Sequence, residues 1–385
     1  MAKGLEERVR DRLAAEFSAW TGTRPDGIWS APGRVTLVGE YLDLCGGPVL
    51  PATIDLRVWV ALRRRPGGRL RVRSLQRPEE FEIDREQLRP RRIRGWAAYP
   101  LGAIWAVTQF NDPGTGLDVL LDGLVPEGAG LSSSAAVECA VVEAVTDSLG
   151  VRLSRRQKVA AARRAEAEFV GVPCGLMDQV TAVFGMPGSA LRFDSSTGTV
   201  LPTPFDPAAA GDRLFVIDTG SRRRLADSPY PQRRLLLAAA GRMLGHERLV
   251  DASAEEVDRL PDPKIRGGAR HALSERDRVE RALDALGRTD HEELGRIMSE
   301  SHRSLRDDLD VSAPELDLAV EAACSAGAYG AKLTGAGFSG AVVAVGPEHS
   351  QRAIDFGLRA AFADAGLKPP TLRAVEPAPG ARRDR

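Results

Sequence analysis

Four short stretches of this chain carry residue types that could do chemistry. The first is PEGAGLSSSAA, Pro126 to Ala136. Gly128 and Gly130 can take backbone angles closed to other residues and leave room for a ligand against the main chain. Ser132, Ser133 and Ser134 stand where an apolar, alanine-rich helix would begin, in N-cap territory. A helix start offers free N–H groups and the positive end of the dipole, so anions bind there. The serine hydroxyls add donors for phosphate oxygens and possible metal ligands. The string therefore reads as a phosphate-cradling loop, against the plainer alternative of a Gly/Ser loop that only caps a helix.

The second stretch, APGRVTLVGEYLDLCGG (residues 31–47), brackets an apolar strand with Arg34 on one side and Glu40 and Asp43 on the other. Carboxylates clustered just past a strand suit hydrogen bonding to a polyhydroxyl ligand. They equally suit capping a turn, with Arg34 in a solvated ion pair. In the third, EAEFVGVPCGLMDQ (residues 166–179), Asp178 stands between Met177 and Gln179-Val180, just after a glycine. A carboxylate in a semi-apolar setting is a candidate base, because desolvation raises its proton affinity. It also fits an N-cap for the helix that follows. Glu166, twelve residues earlier, suits either a magnesium ligand or a surface carboxylate. The fourth, KLTGAGFSGAVVAV (residues 332–345), contains a literal GxGxxG from Gly335 to Gly340. A second strand follows it directly, where a dinucleotide site needs a helix. A glycine loop between two strands can instead pack against another phosphate loop. GxxxxGK[ST] and GxSxG are both absent.

These stretches must be held by a mixed α+β framework. GIWSAPGRVTLV and the run to Val60 read as strand, loop, strand. Residues 57–74 read as a hairpin around Pro66-Gly67-Gly68. A helix is expected across WAAYPLGAIWAVTQF, with Pro100 tolerated near its start. LDVLLDGLVP reads as a strand feeding the serine loop. Residues 155–170 are helical by propensity, and LMDQVTAVFG opens a helix or turn. RLFVIDTG reads as a buried strand, and residues 231–247, 274–287 and 291–304 as helices. The tail, PAPGARRDR, reads as frayed. A boundary near residues 200–212 divides the chain into 1–205 and 206–385.

Bulk properties narrow the function classes. Lysine plus arginine number 53 and aspartate plus glutamate 53, which argues against a general nucleic-acid binder. No apolar run is long enough for a membrane span. The N-terminus is a charged amphipathic pattern rather than a signal peptide, so a cytoplasmic location is expected. Cys45, Cys139, Cys174 and Cys324 lie far apart without a CxxC, so neither zinc nor disulfides are expected. Zero net charge fits a monomer.

Taken together, the stretches resemble the GHMP kinases, and within them the galactokinases. Residues 31–55 resemble the N-terminal signature, 126–136 the ATP loop and 332–340 the third motif. FVGVPCGLMDQ (169–179), SPYPQRR (228–234), SHRSLRDDLDVSAPELD (301–317) and KPPTLRAVEPAPGA (368–381) extend the similarity over essentially the whole chain, in order. The resemblance implies an N-terminal domain with a left-handed β-α-β unit, a C-terminal ferredoxin-like domain and an active site in the cleft between them. It implies a magnesium- and ATP-dependent sugar 1-kinase. Asp178 matches the catalytic aspartate and Arg34 the arginine facing it. Glu40, Asp43, Gly175 and Tyr230 match sugar-contacting positions. Gly128, Gly130, Leu131, Ser132, Ser133 and Ser134 match the triphosphate cradle, with Ser134 and Glu166 on the magnesium side. One departure concerns the sugar. Where galactokinases read Gly-Glu-His-Thr-Asp-Tyr, this chain reads Gly39-Glu40-Tyr41-Leu42-Asp43-Leu44. Tyr41 therefore joins the sugar-side residues, and N-acetylgalactosamine, arabinose or galacturonate stand beside galactose as substrates. A non-catalytic regulator that binds sugar and ATP is the other class.

Overall fold

The computed structural model describes residues 2–111, 114–222 and 229–385. Helix α1 (Ala2–Thr21) leads into β1 (Gly27–Val38), β2 (Pro48–Arg65), β3 (Arg69–Ser74) and β4 (Phe81–Asp84). After α2 (Ala98–Thr108) and β5 (Gly116–Gly123) come α3 (Ser133–Ser148), α4 (Arg155–Arg164), a wide π-type turn (Ala165–Val170), α5 (Met177–Phe184), β6 (Ser189–Asp194) and β7 (Thr199–Pro204). These strands, with the final β12 (Arg382–Arg383), form one sheet in the order β12-β1-β2-β5-β3-β4, and β6 pairs with both β2 and β7. Helix α3 packs on β1 and β2. Its inward face is small (Ala135, Ala136, Cys139, Ala140), which lets it lie close to the sheet.

The second half supplies β8 (Asp212–Asp218), α6 (Tyr230–Leu244), α7 (Ala254–Asp258), α8 (Pro263–Gly287), α9 (His291–Asp307), α10 (Pro314–Ser325), β9 (Gly330–Leu333), β10 (Ala341–Pro347), α11 (Gln351–Asp364) and β11 (Thr371–Val375). Its sheet is antiparallel in the order β11-β8-β10-β9. Counted along the second half, that is the fourth, first, third and second strand. With helices between the first and second and between the third and fourth, this is ferredoxin-like topology, as the resemblance implied.

Two expectations are corrected. Residues 57–74 are not a hairpin: β5 lies between β2 and β3, antiparallel to the first and parallel to the second. Pro66-Gly67-Gly68 reverses the chain but does not fix which strand lies alongside. Seven of the eight residues of β5 are buried, the pattern of a central strand, and it takes the inner place. The tail is not frayed either. Arg383 and Arg382 pair with Trp29 and Ser30. Arg57, fully buried, donates to the carbonyls of Pro379 (2.5 Å) and Gly380 (2.9 Å) and to Ser30 Oγ (2.9 Å). The amides of Gly380 and Ala381 donate to Gly185 and Ala182. The composition of the tail signals disorder only until its carbonyls meet a buried guanidinium.

Removing residues 377–385 therefore strands that guanidinium. We expect a loss of about 3 kcal/mol or more in urea unfolding; an unchanged unfolding midpoint would contradict this packing.

Candidate active site

The centre is an ion pair between Arg34 of β1 and Asp178 of α5, set against the loop that precedes α3. Arg34 lies in β1, where the register against β2 shifts between Pro32 and Arg34. Its Nε donates to Asp178 Oδ1 at 2.8 Å, and its Nη2 lies 2.7 Å from the same oxygen. Its Nη1 donates to the Gly130 carbonyl at 2.6 Å. Asp178, in the first turn of α5, has a side chain 31% exposed, so a small molecule can reach it. Both guanidinium nitrogens address Oδ1, and among the described residues no donor is bonded to Oδ2. Burial alone would lower the proton affinity of Arg34; Asp178, Glu40 and Asp43 outweigh it and raise its pKa.

The phosphate loop is built against this pair. Gly128 and Gly130 have φ of 67° and 76°, and Ser132 takes φ 58° without a side-chain cap bond. The serine loop therefore does start a helix, but not by serine capping. The Ser132 hydroxyl is buried without a protein partner among the described residues. Ser133 and Ser134 form the first turn of α3. The Leu131 carbonyl accepts from the Arg34 amide at 3.1 Å. Across the loop, a Cβ on Gly130 would meet the Thr334 carbonyl at 2.6 Å, and one on Gly335 the Gly130 carbonyl at 2.6 Å. The glycine loop between β9 and β10 is thus seated on the phosphate loop, as its sequence suggested.

Glu166 sits in the π-type turn and is buried. Ser134 Oγ donates to its Oε1 at 2.9 Å and Gln179 Nε2 to its Oε2 at 2.7 Å. Burial, then the charge of Asp178, push its carboxyl up to about 7. The surface alternative is excluded. Its acidic neighbour Glu138, one turn along α3 from Ser134, is fully buried, and burial followed by Glu166 raises its carboxyl well above the usual range. A buried carboxylate beside a hydroxyl, with no cation bonded to it among the described residues, suits a hard divalent ion. Among the described residues no cluster of three metal-ligating side chains exists. One carboxylate and one hydroxyl, completed by substrate phosphates and water, is how Mg²⁺ is commonly held.

The sugar-signature residues gather on the other side of the pair. Asp43 lies in a short 3₁₀ turn (Leu42–Leu44) against Gly175, where a Cβ would stand 1.8 Å from Asp43 Oδ2. A side chain there would have to displace the Asp43 carboxylate. Burial, then Asp178 and Glu40, push the Asp43 carboxyl up to about 6. Glu40 is buried, and its Oε1 accepts from the Gly335 amide at 2.7 Å. Tyr41, with φ 69°, donates its hydroxyl to the Ala336 carbonyl at 2.6 Å, and its ring lies 5.7 Å from that of Tyr230 at the start of α6. Ser228, at the head of the SPYPQRR stretch, lies outside the described residues. Close contacts thus link Arg34 to Asp178 and Gly130, Ser134 to Glu166, Asp43 to Gly175, and Tyr41 to Tyr230. Sequence reasoning missed the groups behind them, Gln179, Glu138, Glu275 and Lys332. Lys332 lay inside a stretch chosen for its glycines. Two adjoining cavities of about 380 and 270 Å³ open beside the turn that carries Glu166. They share Arg91 and Gly171, and Arg94, Arg163 and Arg234 complete a cationic lining.

An ion pair against a glycine-built anion loop, with paired carboxylates opposite, defines a small-molecule phosphotransferase site. Residues 98–186 match the family described as GHMP kinases N terminal domain, and 282–364 match GHMP kinases C terminal. Residues 15–64 match the galactokinase galactose-binding signature, the Tyr41 departure notwithstanding. Similar proteins include a galactokinase of Streptomyces coelicolor, 37% identical over 98% of this chain and all of that one. A galactokinase of Mycobacterium tuberculosis is 36% identical over 92% of this chain and 98% of its own length. Among solved structures, Lactococcus lactis galactokinase complexed with galactose superposes with a TM-score of 0.92 at 27% identity, covering 97% of this chain and 100% of that one. Methanococcus jannaschii mevalonate kinase shares the fold, with a TM-score of 0.68 at 18% identity over 91% of this chain and 97% of that one. The chain belongs to the GHMP kinase family, as a sugar kinase of the galactokinase type. No described helix is long and apolar enough to cross a membrane.

The raised Asp43 carboxyl gives a pH test. Asp43 gains its proton as pH falls through about 6, so its acceptor strength is lost below that point, not above it. Sugar kcat/KM is expected to fall about tenfold per pH unit below about 6. In Asp43→Asn it should be low throughout, without that inflection. A variant that keeps the parental inflection would assign it elsewhere.

Proposed function

We propose that this protein transfers the γ-phosphoryl group of ATP to the anomeric hydroxyl of galactose or a closely related sugar. The observation that carries the reading is the Arg34–Asp178 pair, bonded through Arg34 to the phosphate loop and ringed by the sugar-signature carboxylates. The names of the similar proteins support the same substrate.

Phosphoryl transfer needs alignment and charge neutralisation more than covalent help. Asp178 accepts the proton of the sugar hydroxyl through Oδ2, or orients that hydroxyl. Arg34 fixes the Asp178 carboxylate in place and offsets charge developing on the transferred group. Gly128 to Ser134 receive the phosphate oxygens on loop amides and hydroxyls. Ser134 and Glu166 would hold Mg²⁺, which would neutralise phosphate charge. The arginine-lined cavities give the nucleotide a cationic approach. Glu40, Asp43 and Tyr230 take the remaining sugar hydroxyls, with Gly175 admitting Asp43. A sugar lacking one of these hydroxyls leaves a buried acceptor unpaired, which makes selectivity strong.

Tyr41 bears on which sugar is used. Its hydroxyl is committed to the Ala336 carbonyl, so its ring edge, not a polar nitrogen, lines this side. An apolar wall here, with Leu42 and Leu44 beside it, favours a sugar that needs no donor at that point.

ADP release should be measured across galactose, 2-deoxygalactose, N-acetylgalactosamine, arabinose, galacturonate and glucose. Turnover on galactose is expected, with a loss of about 10³-fold in Asp178→Ala. Turnover on another sugar alone would move the substrate and keep the mechanism. No turnover with ATP still bound would favour a sensor. In the same panel, Tyr41→His is expected to change the ranking of sugars; identical relative kcat/KM would remove Tyr41 from recognition.

A further inference from the structure

Lys332 lies in β9, and its side chain is wholly buried. A buried ammonium is costly unless each of its hydrogens finds an acceptor. Lys332 has three: the Leu333 carbonyl at 2.8 Å, the Thr36 carbonyl at 3.2 Å and Glu40 Oε1 at 3.4 Å. Three donors and three acceptors leave the ammonium no alternative orientation. Glu40 Oε1 also takes the Gly335 amide at 2.7 Å. One oxygen of this carboxylate is therefore held twice by the protein. Among the described residues no donor is bonded to Oε2.

A second layer fixes the backbone beneath. Glu275 of α8 accepts from the Gly39 amide at 2.7 Å and from Ser301 Oγ at 2.6 Å, and its other oxygen accepts from Arg278 Nε at 2.6 Å. His271 Nε2 lies 3.2 Å from the Glu40 carbonyl. Main chain and side chain of Glu40 are thus gripped from different elements, and the grip spares a single atom. Such an arrangement exceeds what holding a loop requires: a capped loop needs its amides satisfied, not a buried cation on one carboxylate oxygen.

We propose that Lys332 is a positioning residue of the sugar site, which acts through Glu40 by holding its Oε1 and so presenting Oε2 to a sugar hydroxyl. This rests on the reading above that Glu40 faces the sugar. Lys332 itself touches no substrate.

The test is a four-variant cycle on the sugar turned over fastest in the panel: parent, Glu40→Gln, Lys332→Met and the double variant. Lys332→Met is expected to raise KM for the sugar about tenfold or more, with KM for ATP within about twofold. In the Glu40→Gln background the same substitution should change sugar KM by less than about twofold. An equal cost in both backgrounds, or a parallel rise in KM for ATP, would overturn the proposal and leave Lys332 a structural residue. Should Lys332→Met fail to fold, Glu40→Gln against the double variant, which lacks both buried charges, still decides: equal sugar KM supports the proposal and a further rise overturns it. If Glu40→Gln alone leaves sugar KM unchanged, the sugar-facing reading of Glu40 falls and the role of Lys332 with it.

Discussion

A single guanidinium joins the two halves of the chemistry. Arg34 bonds the carboxylate of Asp178 with two nitrogens and the Gly130 carbonyl with the third. Asp178 and the phosphate loop are thereby fixed relative to one another by one rigid, planar group. Much of the surrounding architecture follows from placing it. β1 shifts register between Pro32 and Arg34. Gly33 is needed because a Cβ there would meet the Leu131 carbonyl at 2.8 Å. α5 begins where Asp178 can meet the arginine, and α3 begins where its loop carbonyl can.

Around that cation the protein collects more acidity than it neutralises. Asp178, Asp43, Glu40, Glu166 and Glu138 crowd one centre, and Asp43 and Glu166 are pushed upward by burial and by each other's neighbours. Arg34 and Lys332 offset part of this. On the proposed function the remainder faces ligands: sugar hydroxyls on the Asp43 side and a divalent cation on the Glu166 side.

How much of this the sequence disclosed depends on how local the signal was. The phosphate loop and the glycine loop were legible because each needs particular residue types within a few positions; Arg34 and Asp178, 144 residues apart, were joined only by the resemblance to the GHMP kinases. The packing of Gly335 on Gly130 was legible as a possibility for the same reason. The grip on Glu40 was not. His271, Glu275 and Ser301 lie on helices with ordinary amphipathic patterns, and the Glu40 carbonyl and Gly39 amide that His271 and Glu275 meet are more than two hundred residues away. Nothing local distinguishes a buried Glu275 from a solvated one. The place of β5 between β2 and β3 was hidden because a turn encodes reversal, not adjacency. The tail misled because proline, glycine and arginine mark disorder unless a distant Arg57 claims their carbonyls. Tyr41 was visible as a departure, but the direction of its hydroxyl belongs to the glycine loop it meets.

The most direct test of the central claim is the kinetics of Arg34→Gln, with sugar and Mg-ATP affinities measured separately on the same protein. If Arg34 couples base and phosphate loop, kcat falls by about 10²-fold or more while each substrate still binds within a few-fold of the parent. If kcat stays within about tenfold of the parent, or if the whole loss appears as weakened binding, the pair is a structural tie and the transfer centre lies elsewhere.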